Sequence, residues 1–225
     1  MAGHTISLYM QNQGHEVTGF DRTPSSFVKS LAGDATDIKK LVSIITVGNF
    51  DAVINCIGIL NQFAEEQKPL AVFLNAYLPH MLAEATVKKR TKIIHMSTDC
   101  VFSGSTGNYT EEDFPDGSTF YDRTKALGEL NDNKNLTLRN SIVGPDLNPK
   151  GIGLFNWFMQ QKGPIYGYTK AIWTGQTTLQ LAKTMELAVK ENVSGLINMV
   201  PEEPISKFDL LELFNKYFRT CSINI

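Results

Sequence analysis

The chain has 225 residues, a formal net charge of -2, 42% hydrophobic and 20% charged residues, and three cysteines. That mix is ordinary for a soluble globular protein, and the near-neutral charge gives no electrostatic case for binding nucleic acid or an acidic membrane surface. Cys56, Cys100 and Cys221 have neither metal-ligand nor disulfide spacing, so a reducing cytoplasm is expected, and no apolar run approaches the ~18 residues of a membrane span.

In chain order, residues 1–12 read as a helix with Ile6, Leu8, Tyr9 and Met10 as its apolar face and Gly14 as its C-cap. Residues 15–20 read as a short strand ending at Asp21-Arg22. Thr23-Pro24-Ser25-Ser26 has turn chemistry and leads into a short helical piece at 27–31, while Gly33-Asp34 marks the end of a weak strand. Asp37 caps a helix to about residue 47. Residues 51–57 are almost continuously apolar, as a strand buried on both faces would be. A long helix is expected over 67–88, kinked by Pro79. A second buried strand spans 92–97, a helix 121–131 and a further strand 136–143.

After Gly144-Pro145 the texture changes. Residues 148–153 read as loop and 154–161 as a short helix, with Phe155, Trp157 and Phe158 as core. A helix over 177–190, a strand over 195–200 and a helix over 208–218 capped by Ser206 follow. Alternating helices and doubly apolar strands specify an α/β fold with a parallel sheet wrapped by helices. The expected division is 1–144 for the sheet domain and 145–225 for a smaller lobe.

The chemistry concentrates between residues 92 and 129. The strand there is apolar except for His95 and ends in Ser97 and Thr98. Tyr121 and Lys125, four apart, share one helix face. A lysine beside a tyrosine favours the phenolate, and a hydroxyl at a strand end can hold a carbonyl oxygen where charge develops. The carboxyl end of a parallel strand is where open α/β sheets bind ligands. His4, His15, His80 and His95 show no ligand spacing; all four read as structural, and no metal is expected.

These residues resemble a known family. Ser97-Thr98-Asp99-Cys100-Val101-Phe102-Ser103-Gly104 and Tyr121-Asp122-Arg123-Thr124-Lys125-Ala126-Leu127-Gly128-Glu129 are similar to the extended short-chain dehydrogenase/reductases, in particular their dTDP-4-dehydrorhamnose reductase branch. Leu138-Arg139-Asn140-Ser141-Ile142-Val143-Gly144 is similar to the next strand of that family, and the resemblance runs over roughly residues 1–215. Cys100 departs from the aromatic residue common at its position.

The resemblance implies a Rossmann-like doubly wound sheet with a small C-terminal substrate lobe. It implies reduction of the 4-keto group of a nucleotide-linked deoxysugar by NADPH or NADH, in polysaccharide precursor synthesis. Tyr121 is then the proton donor, Lys125 its tuner and ribose ligand, and Thr98 the carbonyl-orienting hydroxyl. Cofactor contacts are expected from Gly3, Asp21, Arg22, Asp34, Asn55, Gly58, Asn75, Ser97, Tyr121 and Lys125. The Asp21-Arg22 pair leaves NADH against NADPH open. Substrate contacts are expected from Thr98, Val101, Phe102, Tyr121 and Trp173. A homodimer is compatible with the resemblance.

One part of the family pattern is short. Met1-Ala2-Gly3-His4 matches only the last third of the family's glycine string. The chain therefore reads as truncated at both ends, lacking the first strand. Unpaired strand edges and an apolar gap are expected between the second and fourth strands of the family's sheet. The alternatives are an epimerase or dehydratase on the same scaffold, or a non-catalytic binding protein that keeps the fold.

Overall fold

The apolar runs of the sequence become parallel strands, and the helices between them carry the chain back across the layer. The computed structural model describes residues 1–23, 25–148 and 151–225. The first half contains α1 (Ala2–Asn12), β1 (Thr18–Asp21), β2 (Lys29–Ala32), α2 (Ile38–Gly48), β3 (Ala52–Asn55), α3 (Asn61–Glu66), α4 (Lys68–Ala71), a π-helical turn (Val72–Tyr77), α5 (Leu78–Ala85) and β4 (Lys92–Met96). A 3-10 turn (Asp99–Val101), α6 (Phe120–Leu127), β5 (Leu136–Arg139), β6 (Ile142–Val143) and α7 (Leu154–Gln160) follow. The chain continues through β7 (Ile172–Trp173), β8 (Gln176–Thr177), α8 (Thr178–Lys190), β9 (Gly195–Asn198), β10 (Ile205–Ser206) and α9 (Lys207–Phe218).

The main sheet is parallel, in the order β3-β4-β5-β9, and β1 pairs with β2 in a separate parallel pair. Among the described residues no strand hydrogen-bonds the open edges of β1 and β3. Side chains bridge the interval instead. Phe20 joins Val53 and Ile57 in one cluster, and Val17 joins Ile54 and Cys56 in another.

Each face of the sheet has its own core. Ile94, Leu136 and Leu138 pack under Ile6 and Met10 of α1 and Leu181 and Met185 of α8. Ile93, one residue along β4, points the other way and meets Leu41 and Ile45 of α2 with Leu78 and Leu82 of α5. Two helix-covered faces explain why β4 is apolar at consecutive positions. β9 and α8 come from beyond residue 145, so the textural boundary at 144/145 is not a boundary of sheet membership. A third cluster, of Val143, Phe158, Trp173, Leu210, Leu211 and Phe214, forms the core of the small lobe. Phe158 is fully buried and Phe155 packs edge-on against Phe214, as expected of core aromatics, but Trp157 is exposed.

Several local expectations need correction. Residues 27–31 are not helical; β2 occupies 29–32, because parallel pairing with β1 holds the segment extended and five residues are too few to nucleate a helix alone. The strand expected over 136–143 breaks after Arg139. Asn140 Nδ2 bonds the Leu138 and Ser97 carbonyls at 2.9 and 3.3 Å, and β6 leaves the sheet to pair with β8. The short helix α3 was not anticipated. Pro24, in the expected turn at 23–26, and residues 149 and 150, in the expected loop at 148–153, lie outside the described residues.

The expected helix over 67–88 ends at Ala85, and its irregularity is a π-helical turn just before Pro79. Proline has no N–H to give the Asn75 carbonyl, four residues back. Gly128, which ends α6 three residues before the expected helix end, packs against that same carbonyl. A Cβ there would lie 1.9 Å from Asn75 O, although the φ of -89° is ordinary. Gly128→Ala is therefore expected to cost about 1–3 kcal/mol through overpacking. Urea unfolding should show it as a lower midpoint at an unchanged m-value.

Candidate active site

The carboxyl ends of the parallel strands β3 and β4 lie along one rim of the main sheet, the side on which open α/β sheets bind ligands. The start of α1 lies beside it, since the Cβ position at Gly3 is 3.8 Å from the Cys56 Cβ. The first turn of α1 has no side-chain cap, which leaves its amides available to an anion. Asp21 is an exposed carboxylate at the end of β1, beside exposed Arg22. Asp34 accepts bonds from the Thr36 amide and hydroxyl at 2.8 and 2.7 Å; these hold its pKa below the usual carboxylate value.

β4 delivers two hydroxyls with different partners. Ser97 Oγ donates to Glu129 Oε1 at 2.7 Å, and that carboxylate takes a two-pronged bond from Arg139 at 2.8 Å on each oxygen. Ser97 thus braces the strand end. Thr98, buried, accepts from the Cys100 amide at 3.2 Å and opens the 3-10 turn.

α6 delivers Tyr121 and Lys125. Thr119 and Asp122 form a reciprocal capping box that fixes where the helix begins, and hence which way these side chains point. Tyr121 is buried against Ala64, Ala71 and Ile59. Burial pushes its phenol above the usual tyrosine value, a hydrogen bond with Thr98 opposes this, and Cys100, Asp99 and Asp122 add to the rise. The Lys125 amine donates to the Met96 carbonyl at 2.5 Å and lies 3.3 Å from His95 Nε2. Burial lowers its pKa to about 8, against the pull of Glu129 and Cys56.

The remaining expected residues have well-defined partners. Asn55 ends β3, with its Nδ2 3.1 Å from His95 Nδ1. Asn75 forms a clamp: Oδ1 accepts from the Ile59 amide at 2.8 Å, while Nδ2 donates to Ile59 O at 2.9 Å and Thr124 Oγ1 at 3.2 Å. Gly58 lies under that amide, and a Cβ would come within 3.0 Å of Asn75 Oδ1. Val101 is fully buried. Phe102 stacks on Tyr109 with centroids 4.3 Å apart and lies under the Arg139 guanidinium at 4.8 Å. Trp173 Nε1 donates to Ser141 Oγ at 2.8 Å. Half-buried Lys207, which the sequence analysis did not single out, lies over the Trp173 ring at 4.7 Å and faces Asp99 and Cys100. Among the described residues no cluster of His, Cys, Asp and Glu could hold a metal, and no helix is long and apolar enough to cross a membrane.

His95 makes a measurable demand on stability. It is fully buried, and burial, then Lys125 and His80, hold its pKa well below the ordinary 6.5. Below pH 6.5 the unfolded chain binds a proton that the folded chain refuses, so stability falls as pH drops. The slope from this group approaches about 1.4 kcal/mol per pH unit. Urea unfolding at pH 7.5, 6.0 and 5.0 should register the loss, and a flat response over that range would refute it.

The sequence model of the family described as RmlD substrate binding domain matches residues 1–143. A probable low-salt glycan biosynthesis reductase of Haloferax volcanii is 32% identical over 133 residues, covering 57% of this chain and 44% of the relative. A dTDP-4-dehydrorhamnose reductase of Mycobacterium tuberculosis is 36% identical over 104 residues, covering 43% of this chain and 33% of the relative. The chain thus spans less than half the length of these curated relatives. Among solved structures, a hypothetical dTDP-4-dehydrorhamnose reductase from Sulfolobus tokodaii superposes with a TM-score of 0.83 at 24% identity, covering 99% of this chain and 81% of that one. A dTDP-4-dehydrorhamnose reductase from Bacillus anthracis in complex with NADP gives 0.74 at 17% identity, covering 92% and 83%. At these identities the structural likeness establishes the fold, a Rossmann-like α/β layer.

Proposed function

The chain belongs to the RmlD substrate binding domain family, and from that membership we propose that it reduces the 4-keto group of a nucleotide-linked deoxysugar with NADPH or NADH, in polysaccharide precursor synthesis. The observation that carries the reading is the burial of Thr98, Tyr121 and Lys125 together at the carboxyl end of β4 and the start of α6. The named relatives, a probable reductase of glycan biosynthesis and a dTDP-4-dehydrorhamnose reductase, support the reaction class.

The residues present suit a dinucleotide. Uncapped first-turn amides of α1 suit a pyrophosphate, the Asp21 carboxylate suits ribose hydroxyls, and Arg22 suits a 2′-phosphate. Asp34 lies on the adenine side of this assignment, and Gly3, Asn55, Gly58, Asn75 and Ser97 form or brace its walls. The nicotinamide, when bound, supplies the hydride.

The rest of the work falls to the chain. Thr98 donates a hydrogen bond to the substrate carbonyl, where negative charge grows. Tyr121 gives its phenolic proton to that oxygen: the Oη–H bond breaks as the alcohol O–H forms. A phenol pushed up by burial keeps its proton at neutral pH, as a donor must. Lys125 holds the ribose side. Phe102 and Trp173 form the sugar-nucleotide wall, with the fully buried Val101 packed behind it and Lys207 contributing a cation at its edge. The same reading places the protein in the cytoplasm and is compatible with a homodimer, which sedimentation of the purified chain tests.

Titration of the 225-residue chain with NADPH and NADH by calorimetry tests the first half of the reading. Oxidation of NADPH with a dTDP-4-keto-6-deoxysugar tests the second. No binding of either nucleotide at millimolar concentration, or binding without substrate-dependent oxidation, overturns it.

A further inference from the structure

His95 is the one polar side chain among the buried residues of β4 between Lys92 and the strand end, and the chemistry above gives it no task. Its hydrogen bonds have a single consistent direction. The Ile57 amide, which can only donate, lies 3.1 Å from Asn55 Oδ1. That sets the oxygen of the Asn55 amide toward Ile57 and its Nδ2 toward the ring, where it meets His95 Nδ1 at 3.1 Å. Nδ1 is therefore the acceptor. A neutral imidazole whose Nδ1 accepts carries its proton on Nε2. Nε2 lies 3.3 Å from the Lys125 amine, so an N–H dipole points at that nitrogen. An ammonium has only hydrogens to present there, whereas an uncharged amine has a lone pair.

We infer that His95, locked in its Nε2–H form by Asn55 and the Ile57 backbone, donates to Lys125 Nζ and is a positioning residue that favours the uncharged amine. Its consequence for turnover rests on the reductase reading above; its chemistry does not. Lys125 becomes a group that exchanges protons near neutral pH in place of a fixed cation. Burial by itself already holds the Lys125 pKa down at about 8, so the effect of His95 must be read from the bond directions and the substitution below. The groups facing the pair come from all the surrounding elements. Glu129 and Cys56 favour the ammonium, and Cys56 is itself pushed up to about 12 by burial and faces the amino terminus. His80 of α5 faces His95, and Tyr121 lies one turn before Lys125 on α6.

The sign of one substitution decides the matter. Competitive labelling of the intact chain with trace acetic anhydride between pH 6 and 11, read by peptide mass spectrometry, gives the titration midpoint of Lys125. His95→Leu keeps the site apolar and removes the N–H, so the midpoint should rise by about one pH unit, a tenfold change in the amine–ammonium ratio. If His95 accepted from the ammonium, the midpoint would fall; if His95 only filled space, it would not move; either result overturns the inference. Should His95→Leu not fold, long-range proton–nitrogen correlation spectra of the labelled wild-type chain give the tautomer directly. A proton on Nε2 is expected, and a proton on Nδ1 overturns the inference. Neither measurement needs turnover, so failure of the reductase reading is recognised separately, as a wild-type chain with the expected tautomer that reduces no keto sugar.

Discussion

Tyr121→Phe should lower the rate of NADPH-dependent reduction of a 4-keto nucleotide sugar by about 10²–10⁴-fold, the usual worth of a positioned proton donor. The expectation follows from what the phenol is asked to do. Tyr121 is 7% exposed, so its oxygen gains little from solvent. Its proton is held by burial and by the negative charges of Asp99 and Asp122 nearby, and the Thr98 hydroxyl is its hydrogen-bonding neighbour. On the proposed reading, a ketone that accepts a hydride needs that proton at the same oxygen that Thr98 would orient. Phenylalanine keeps the ring that packs on Ala64 and Ala71 and removes only the oxygen. Thr98 retains its bonds to the Cys100 amide and Asp99, so stability should change by less than about 1 kcal/mol. Nucleotide affinity should fall by less than about tenfold, the net worth of one hydrogen bond. Turnover within threefold of wild type would mean that another group supplies the proton.

Much of this site was legible because its parts carry local signals. β3 and β4 announced themselves as continuous apolar runs, and Tyr121 and Lys125 stood one turn apart at the start of a helical pattern. What could not be read depends on contacts between distant segments. Ser97 and Thr98 are adjacent hydroxyls, yet Ser97 turns to Glu129, 32 residues on, and only the fold reveals which of the two stays in the crevice. A lysine four residues after a tyrosine was expected to pull the phenol down. Burial pushes the phenol up instead, and the amine reaches for Met96 and His95. Asn75 was expected at the cofactor, but its amide is taken by Ile59 and Thr124, 16 and 49 residues away. His95 did leave a sequence signal, a polar residue inside an apolar strand; its pairing with Asn55 and Lys125 did not.

The largest effect on stability is expected at Glu129. Arg139 and Glu129 are 3% and 7% exposed and joined through both carboxylate oxygens, and the same carboxylate receives Ser97. Removing one partner of a buried pair leaves a desolvated charge, which costs about 3–5 kcal/mol, whereas replacing both by apolar groups is often neutral. Glu129→Gln keeps the shape and strands the Arg139 guanidinium. The aromatic face of Phe102 is then its main compensation, since Nη1 has no hydrogen-bond partner even in the native chain. For a chain of this length the loss corresponds to a fall in Tm on the order of 10 °C. Adding Arg139→Met should restore at least half of it, because the stranded charge goes with the arginine. A midpoint for Glu129→Gln within about 0.5 kcal/mol of wild type, the range of ordinary surface changes, would show that the pair is not desolvated in solution. The catalytic consequence follows from the same bonds. Ser97 loses a charged acceptor, the end of β4 loosens, and Thr98, one residue on, loses its aim at the substrate carbonyl. Turnover should therefore fall in Glu129→Gln and stay low in the double variant, even as stability returns.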